Sequence, residues 1–457
     1  MELALLRVIL TALTVTRAGE GLPVKSPTEV GMSSSRLSAI ERVIERGIKA
    51  GGYPGASVIV GRKGAAVFEK GFGKLSWSDN STPVDAVRTI YDVASLSKVV
   101  GTTTAIMILY DEKKIGLDDA VINYIPTFGG GDKDKVTIRQ LLTHTSGLPA
   151  GRDIWRIAQT PLEARALVLS TPLEGRPGAQ YIYSDLGADI LGLLVEVVSG
   201  EPLDKFLTRR VFEPLGMNET MYRPADSLRY RVAPTEVTPP RGYPLRGEVH
   251  DENAYALGGV AGHAGLFSTA ADLSVFAQMM LNGGEYNGVQ IVSKPTVDLF
   301  TSRAFGHRAL GWDTAEGDYG SGRYLGPTAY GHTGFTGTSM WIDPEREMFV
   351  ILLTNRVHAA RALRPAKVIS DVRADLSDAA VLSVLDGPKL ASGSRAFRAD
   401  REVGWNPPPP RASRRRHGSS RHHTIASATA KSRAASAKKS TATKKKATAK
   451  KSTKKSR

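Results

Sequence analysis

The chain has 457 residues, 41 % hydrophobic and 23 % charged, enough apolar material for one large core or two smaller ones. It has no cysteine, which excludes disulfides, thiolate zinc sites and a cysteine nucleophile, and its nine histidines show no H-E-x-x-H spacing. The formal charge of +16 is unevenly spread: residues 411–457 hold 17 Lys or Arg and no acid, so the remainder sits near −1.

Residues 1–21, "MELALLRVILTALTVTRAGEG", set an apolar stretch from Val8 to Val15 between Arg7 and Arg17. Thr16 and Ala18 supply small residues before a cleavage, so the segment resembles a secretory signal, although Glu2 stands where basic residues are usual. It is too short for a membrane span of ~20 residues, and no other segment could cross a bilayer. The expectation is export to the periplasm or the exterior; the alternative is a cytoplasmic protein with an N-terminal extension.

Over residues 33–50, Leu37, Ile40, Val43, Ile44 and Ile48 share one helical face, behind a serine run that can cap the start. "GASVIVGRKGAAVFEKGFG" follows, with two β-prone runs around Arg62-Lys63-Gly64, and predicts a hairpin. From about 95 to 300 the pattern is mostly helical with Gly/Pro loops. There Thr269 and Asp272 have the spacing of a capping box. "TSMWIDPEREMFVILLTN" then repeats the strand–turn–strand pattern around Asp343-Pro344, and a helix is expected from about 358 to 376. Together these predict an α/β fold: an antiparallel sheet built from both chain ends, flanked by helices, with a large, mostly helical inserted region. The expected main domain covers 22–386. A Pro-rich linker, 387–410, includes Pro407 to Pro410. The Lys/Ala/Ser/Thr-rich tail, 411–457, has no aromatic residue and cannot bury a core.

The stretch "YDVASLSKVVGTTTAIMILYD" (91–111) places Ser95 three residues before Lys98 in an apolar run. Residues three apart share a helical face, so the hydroxyl and the amine meet if the helix begins near Ala94. A serine is a weak nucleophile unless a base takes its proton, and a lysine serves as that base only if its pKa falls, which burial beside Val93 and Val99 would cause. The helix N-terminus adds backbone N–H groups able to hold an oxyanion.

Ser95-x-x-Lys98 is the first motif of the serine β-lactamases and penicillin-binding proteins. The second motif of the class C branch, Tyr-x-Asn, is matched by Tyr183-Ser184-Asp185. The third, Lys/His-Ser/Thr-Gly, is matched by His332-Thr333-Gly334. All three stand in family order, and "LLTHTSGLP" and "AGHAGLFSTAADL" look like the family's recurring segments, so the chain resembles that superfamily over about residues 28–380. The resemblance implies an acyl-enzyme on Ser95, Lys98 as general base and Tyr183 as proton shuttle. It implies an oxyanion hole from the N–H groups of Ser95 and Phe335, with His332 bordering the substrate. Asp185 replaces the usual Asn and adds a charge. His332 replaces Lys, so a fixed cation for a substrate carboxylate is lost or becomes pH-dependent. "EVHDENAYALGGVAGHAGLF" (248–267) looks most like the branch of exo-acting N-acetylmuramyl-L-alanine amidases or esterases, in which His250, Asp251 and Asn253 would border the substrate.

The expected function is therefore a serine hydrolase with esterase, amidase or D-amino-acid peptidase activity, acting on a small ester, an amide, a cell-wall peptide or peptidoglycan fragment, or a β-lactam, with no cofactor and no metal. The rival is a non-catalytic protein on a hydrolase-like body that binds nucleic acid or another polyanion through the 411–457 tail, whose spaced lysines suit counterion release.

Overall fold

Strands from the two ends of the chain meet in one sheet. The structure is a computed structural model and describes residues 21–315, 320–358, 366–388, 390 and 397–405. The candidate signal, the tetraproline and the basic tail lie outside the described residues.

The first helix, α1 (Ala39–Lys49), buries Ile40, Val43 and Ile44 along one stripe. It leads into β1 (Gly55–Arg62) and β2 (Ala65–Gly73). Lys63 and Gly64 both have positive φ, 47° and 81°, which matches the two-residue hairpin turn that follows strand twist. Three more strands arrive from far along the sequence. They are β7 (Tyr330–Thr333), β8 (Ser339–Asp343) and β9 (Met348–Thr354), preceded at the edge by the short β6 (Asp313–Thr314). The six run antiparallel in the order β2-β1-β9-β8-β7-β6, with Ile59 opposite Ile351 and Met340 opposite His332.

Period-2 alternation sends the two faces of β1 and β9 to two cores. Val58, Val60, Val350 and Leu352 pack with α1 and with the C-terminal helix α6 (Ala366–Leu382). Ile59, Ile351 and Leu353 face the larger core, which holds the inserted helices, among them α3 (Asp185–Ser199), α4 (Leu203–Leu207) and α5 (Ala270–Leu281). Because β9 is covered on both sides, its sequence is a continuous apolar run rather than an alternating one. A second sheet of three short strands, β3 (Tyr91–Asp92), β4 (Met221–Tyr222) and β5 (Leu266–Ser268), lies inside the inserted region. Asp92 pairs with Phe267 there.

Three expectations need adjustment. At α5 the Thr269 hydroxyl accepts the Asp272 N–H, but the Asp272 carboxylate turns instead to Glu219 N and Thr220 Oγ1, so only half of the capping box forms. The last helix runs Ala366–Leu382, later than 358–376, and residues 359–365 lie outside the described residues. Within the expected linker, residues 397–405 pack on the body: Phe397 and Trp405 join the α1–α6 core, and Trp405 Nε1 donates to Asp371 Oδ2 at 2.9 Å. Two aromatic rings in nine residues supply the apolar area that a free spacer lacks.

Candidate active site

At the end of β3 the chain makes a sharp elbow. Ala94 adopts φ +49°, and successive short-range bonds (Leu96 N to Val93 O, Ser97 N to Ala94 O, Lys98 N to Ser95 O) wind the next turn. The helix then runs π-helical over Ser97–Thr103 before becoming α-helical in α2 (Thr104–Asp111). The helix therefore starts just after Ser95 rather than at Ala94, because Ala94 is left-handed and cannot be its first residue. The elbow sets the Ser95 side chain at the edge of a cavity of about 830 Å³. Lys98, one turn on, is 3 % exposed and donates from Nζ to Ser95 Oγ at 3.0 Å and to the His263 carbonyl at 3.1 Å.

Lys98 stands against Ser95, but its protonation differs from what its apolar neighbours suggest. Burial by itself would lower the amine's pKa, as expected from its apolar neighbours. The carboxylate of Asp185, first residue of α3, stands 2.7 Å from Nζ, and the Tyr183 ring lies 5.0 Å away. These outweigh burial and hold Lys98 above the usual lysine range, so the resting group is an ammonium. Asp185 therefore meets the lysine directly.

Tyr183 reaches the site from the loop before α3, where Ser184 is the N-cap and accepts the Gly187 N–H. Its ring packs 4.6 Å from His144 and 6.0 Å from His332. His144, in the "LLTHTSGLP" segment, accepts the Ser184 N–H at Nδ1. Burial holds its pKa well below the usual value, so a neutral ring positions the second motif. The third motif closes β7, with His332 and Thr333 as the last two strand residues and Gly334 just beyond. Gly334 is there for space: a Cβ would sit 2.5 Å from the Val93 carbonyl, against the elbow itself. Thr333, Gly334 and Phe335 line the cavity. His332, 2 % exposed, has Nδ1 2.8 Å from the Thr333 carbonyl, which only accepts, so Nδ1 carries the hydrogen and Nε2 the lone pair. Burial is the main reason its pKa falls to about 4; Asp313 opposes this and Arg308 reinforces it. At neutral pH the third motif thus offers an uncharged ring.

Other charged groups escaped the sequence reading. His263 is clamped between Asp189 (2.7 Å) and Asp251 (2.9 Å), whose carboxylates outweigh burial and keep the imidazole protonated. Arg308 pairs with Asp313 beside the Tyr183 ring. Arg373 on α6 donates from Nη2 to the Gly334 and Thr338 carbonyls at 2.6 and 2.8 Å, and its Nε is buried without a bond. No carboxylate lies within ion-pair distance of Arg373 among the described residues. Burial and the nearby Arg356 bring its pKa down to about 9. Of the 248–267 segment, His250 and Asp251 line the cavity as expected. Asn253 instead bridges Trp155 N–H and the Arg152 carbonyl and does not. Among the described residues no cluster of His, Asp and Glu could hold a metal.

The arrangement can support acyl transfer: a hydroxyl against a lysine amine, a phenol beside them, and Ser95 and Phe335 lining one cavity. Comparison with known proteins agrees in kind. The family profile described as Beta-lactamase matches residues 40–373. A protein of Escherichia coli (strain K12), provisionally named a D-alanyl-D-alanine carboxypeptidase, is 34 % identical over 401 residues, spanning 79 % of this chain and 92 % of that one. A penicillin-binding protein homologue from Caulobacter crescentus superposes with a TM-score of 0.60 at 22 % identity, covering 77 % of this chain and 99 % of its own. A class C β-lactamase gives 0.62 at 18 % identity, covering 78 % and 98 %.

Proposed function

The chain belongs to the beta-lactamase family, and from that premise we propose that it is a serine hydrolase that forms an acyl-enzyme on Ser95. The observation that carries the reading is the 3.0 Å approach of Lys98 Nζ to Ser95 Oγ at the cavity edge, with Asp185 2.7 Å behind the amine. Ser95 Oγ attacks the acyl carbon. Its proton passes to the Lys98 nitrogen as Lys98 gives one to Asp185 Oδ1, so the ion pair accepts a proton without a free amine having to accumulate in solution. The Ser95 and Phe335 N–H groups receive the oxyanion. Collapse expels an amine or an alcohol that takes the Tyr183 phenolic proton; Tyr183 recovers a proton from the Lys98–Asp185 pair. Water then cleaves the Ser95 ester.

The cavity also suits an anionic substrate. Lys98, His263 and Arg308 face carboxylates of the protein and His332 is neutral, while Arg373 and Arg356 are guanidinium groups that line the cavity beside the third motif. A peptide ending in a free carboxylate, as in the D-alanyl peptides of the relatives' name, fits that end. A cell-wall substrate also fits the export expected from residues 1–21.

The test is covalent labelling with a fluorophosphonate and a fluorescent penicillin. The wild type is expected to label and Ser95→Ala not to. A folded wild type that stays unlabelled beside active controls refutes the reading. A panel of p-nitrophenyl esters, nitrocefin, D-alanyl peptides and muramyl peptides then sorts the substrate, with D-alanyl peptides expected to be turned over.

A further inference from the structure

Asp92 is buried, and the catalytic scheme above does not use it, yet it touches three of the segments that build the site. Its Oδ1 accepts the Ala94 N–H at 2.8 Å, bracing the left-handed residue next to Ser95. Its Oδ2 accepts the His250 N–H at 2.7 Å. Its backbone carbonyl accepts Thr336 Oγ1 at 2.8 Å, one residue beyond Phe335. The His250 link continues inward: Asp251 holds His263 Nε2 at 2.9 Å, and the His263 carbonyl is the seat of the Lys98 ammonium.

We propose that Asp92 is a positioning residue that fixes the nucleophile, the lysine seat and the oxyanion-hole strand against one another through its two carboxylate oxygens and its carbonyl, and that it does so only as a carboxylate. The reason is hydrogen-bond arithmetic. Two N–H donors converge on the two oxygens, and a protonated acid offers one oxygen as a donor, which must surrender one of the bonds. Either loss frees a neighbour of a reacting group: Ala94 beside Ser95, or the loop that seats Lys98. A left-handed alanine needs such a brace, since the conformation is unfavourable for any residue with a Cβ.

The surroundings make this carboxylate responsive to pH. Burial lifts the Asp92 carboxyl to about 6; the two N–H bonds oppose the rise, Asp251 adds to it and Arg241 counters it. Among the described residues Asp251 and Arg241 are the charged side chains whose fields act on it. The His250 ring lies 5.9 Å from the Phe335 ring, in a stacked orientation. Below about pH 6 the brace opens, and the acylation rate falls with it.

This inference rests on Ser95 being the acylated residue, and the experiment separates the two. The rate of fluorophosphonate labelling of the full-length protein is measured from pH 5 to 8.5, with a probe that does not titrate in that range. The wild type is expected to lose about tenfold per pH unit below pH 6. Asp92→Asn, which keeps one acceptor and turns the other into a donor, is expected to label about 10–100-fold more slowly at pH 8, the value of one charge-assisted bond expressed in the rate. Its profile should be flat where the wild type falls, and in ester turnover the loss should sit in kcat rather than KM. A folded Asp92→Asn that labels at the wild-type rate, or that labels slowly but keeps the wild-type acid limb, overturns the proposal. If Asp92→Asn does not fold, His250→Ala decides, since it keeps the backbone N–H. A limb still centred near pH 6 supports Asp92, and a limb absent from the wild type or abolished in His250→Ala refutes it. A wild type unlabelled at every pH instead refutes the serine hydrolase reading.

Discussion

Replacing Asp185 by Asn tests how the ammonium at position 98 can still serve as a base. Oδ1 lies 2.7 Å from Nζ, and two unit charges at that separation interact by about 6 kcal/mol at an effective dielectric of 20. Lys98 is 3 % exposed but Asp185 is 35 % exposed, so solvent screening reduces the figure to about 2–3 kcal/mol. Removing the carboxylate therefore moves the lysine pKa downward. Under the proposed relay the wild-type serine proton passes internally to Asp185, so kcat/KM for a p-nitrophenyl ester should be flat from about pH 7 to 9. In Asp185→Asn the lysine must first lose a proton to solvent. The rate at pH 7 should fall by at least about tenfold, because only the deprotonated fraction can act, and climb tenfold per pH unit as the amine is freed. The assay is the pH profile of kcat/KM for both proteins, with native near-ultraviolet circular dichroism as the folding control. An Asp185→Asn enzyme with the wild-type rate and a flat profile would refute the relay and leave Asp185 as a bystander to Lys98.

Other perturbations follow from the same geometry. Arg373→Ala should raise KM for a D-alanyl peptide with a free carboxylate by about 10–100-fold while leaving KM for its C-terminal amide nearly unchanged; equal effects on both would remove Arg373 from anion recognition. Gly334→Ala should cut labelling by at least about 100-fold, because its Cβ would press 2.5 Å from the Val93 carbonyl and push the third motif off the elbow, and near-normal labelling would sink that argument. His332 bears on acid stability: the folded ring titrates at about 4 and an unfolded one at ~6.5. The unfolded state therefore binds the extra proton between those values, and stability is full above the upper one and falls as pH drops toward the lower, by about 3 kcal/mol. His332→Gln removes that component, so its Tm should decline less between pH 6.5 and 4.5 than the wild type's. Parallel curves would exclude the ring as a cause.

The readable parts of this chain are those whose signal is local. The α1 stripe, the Lys63-Gly64 hairpin and the apolar β9 run each carry their own period or turn chemistry, so their positions follow from the residues alone. Ser95 and Lys98 are readable for the same reason, one turn apart. Tyr183 and His332 were found through ordered motifs rather than spacing, since nothing local marks a tyrosine 85 positions beyond a lysine as its neighbour. What stayed hidden depends on side chains brought together from distant segments. The charge state of Lys98 turns on which way Asp185 points, and that of His332 on its burial behind Asp313 and Arg308. Asp92 reads as an ordinary strand-end acid until the 250 and 336 loops fold over it. The half-formed cap at Thr269 is a local rule overridden by Thr220 and Glu219 arriving from elsewhere.

Pairing Ala56 with Thr354 joins residues separated by about two-thirds of the polypeptide. Until the ribosome has released the segment that becomes β9, the first hairpin has no central partner and the inserted helices have no sheet to close against. Long-range pairing of this kind makes folding slow. A chain that pairs its beginning with a segment so far along cannot close its sheet early, and Ser95 and Phe335 come to line one cavity only after that late segment exists.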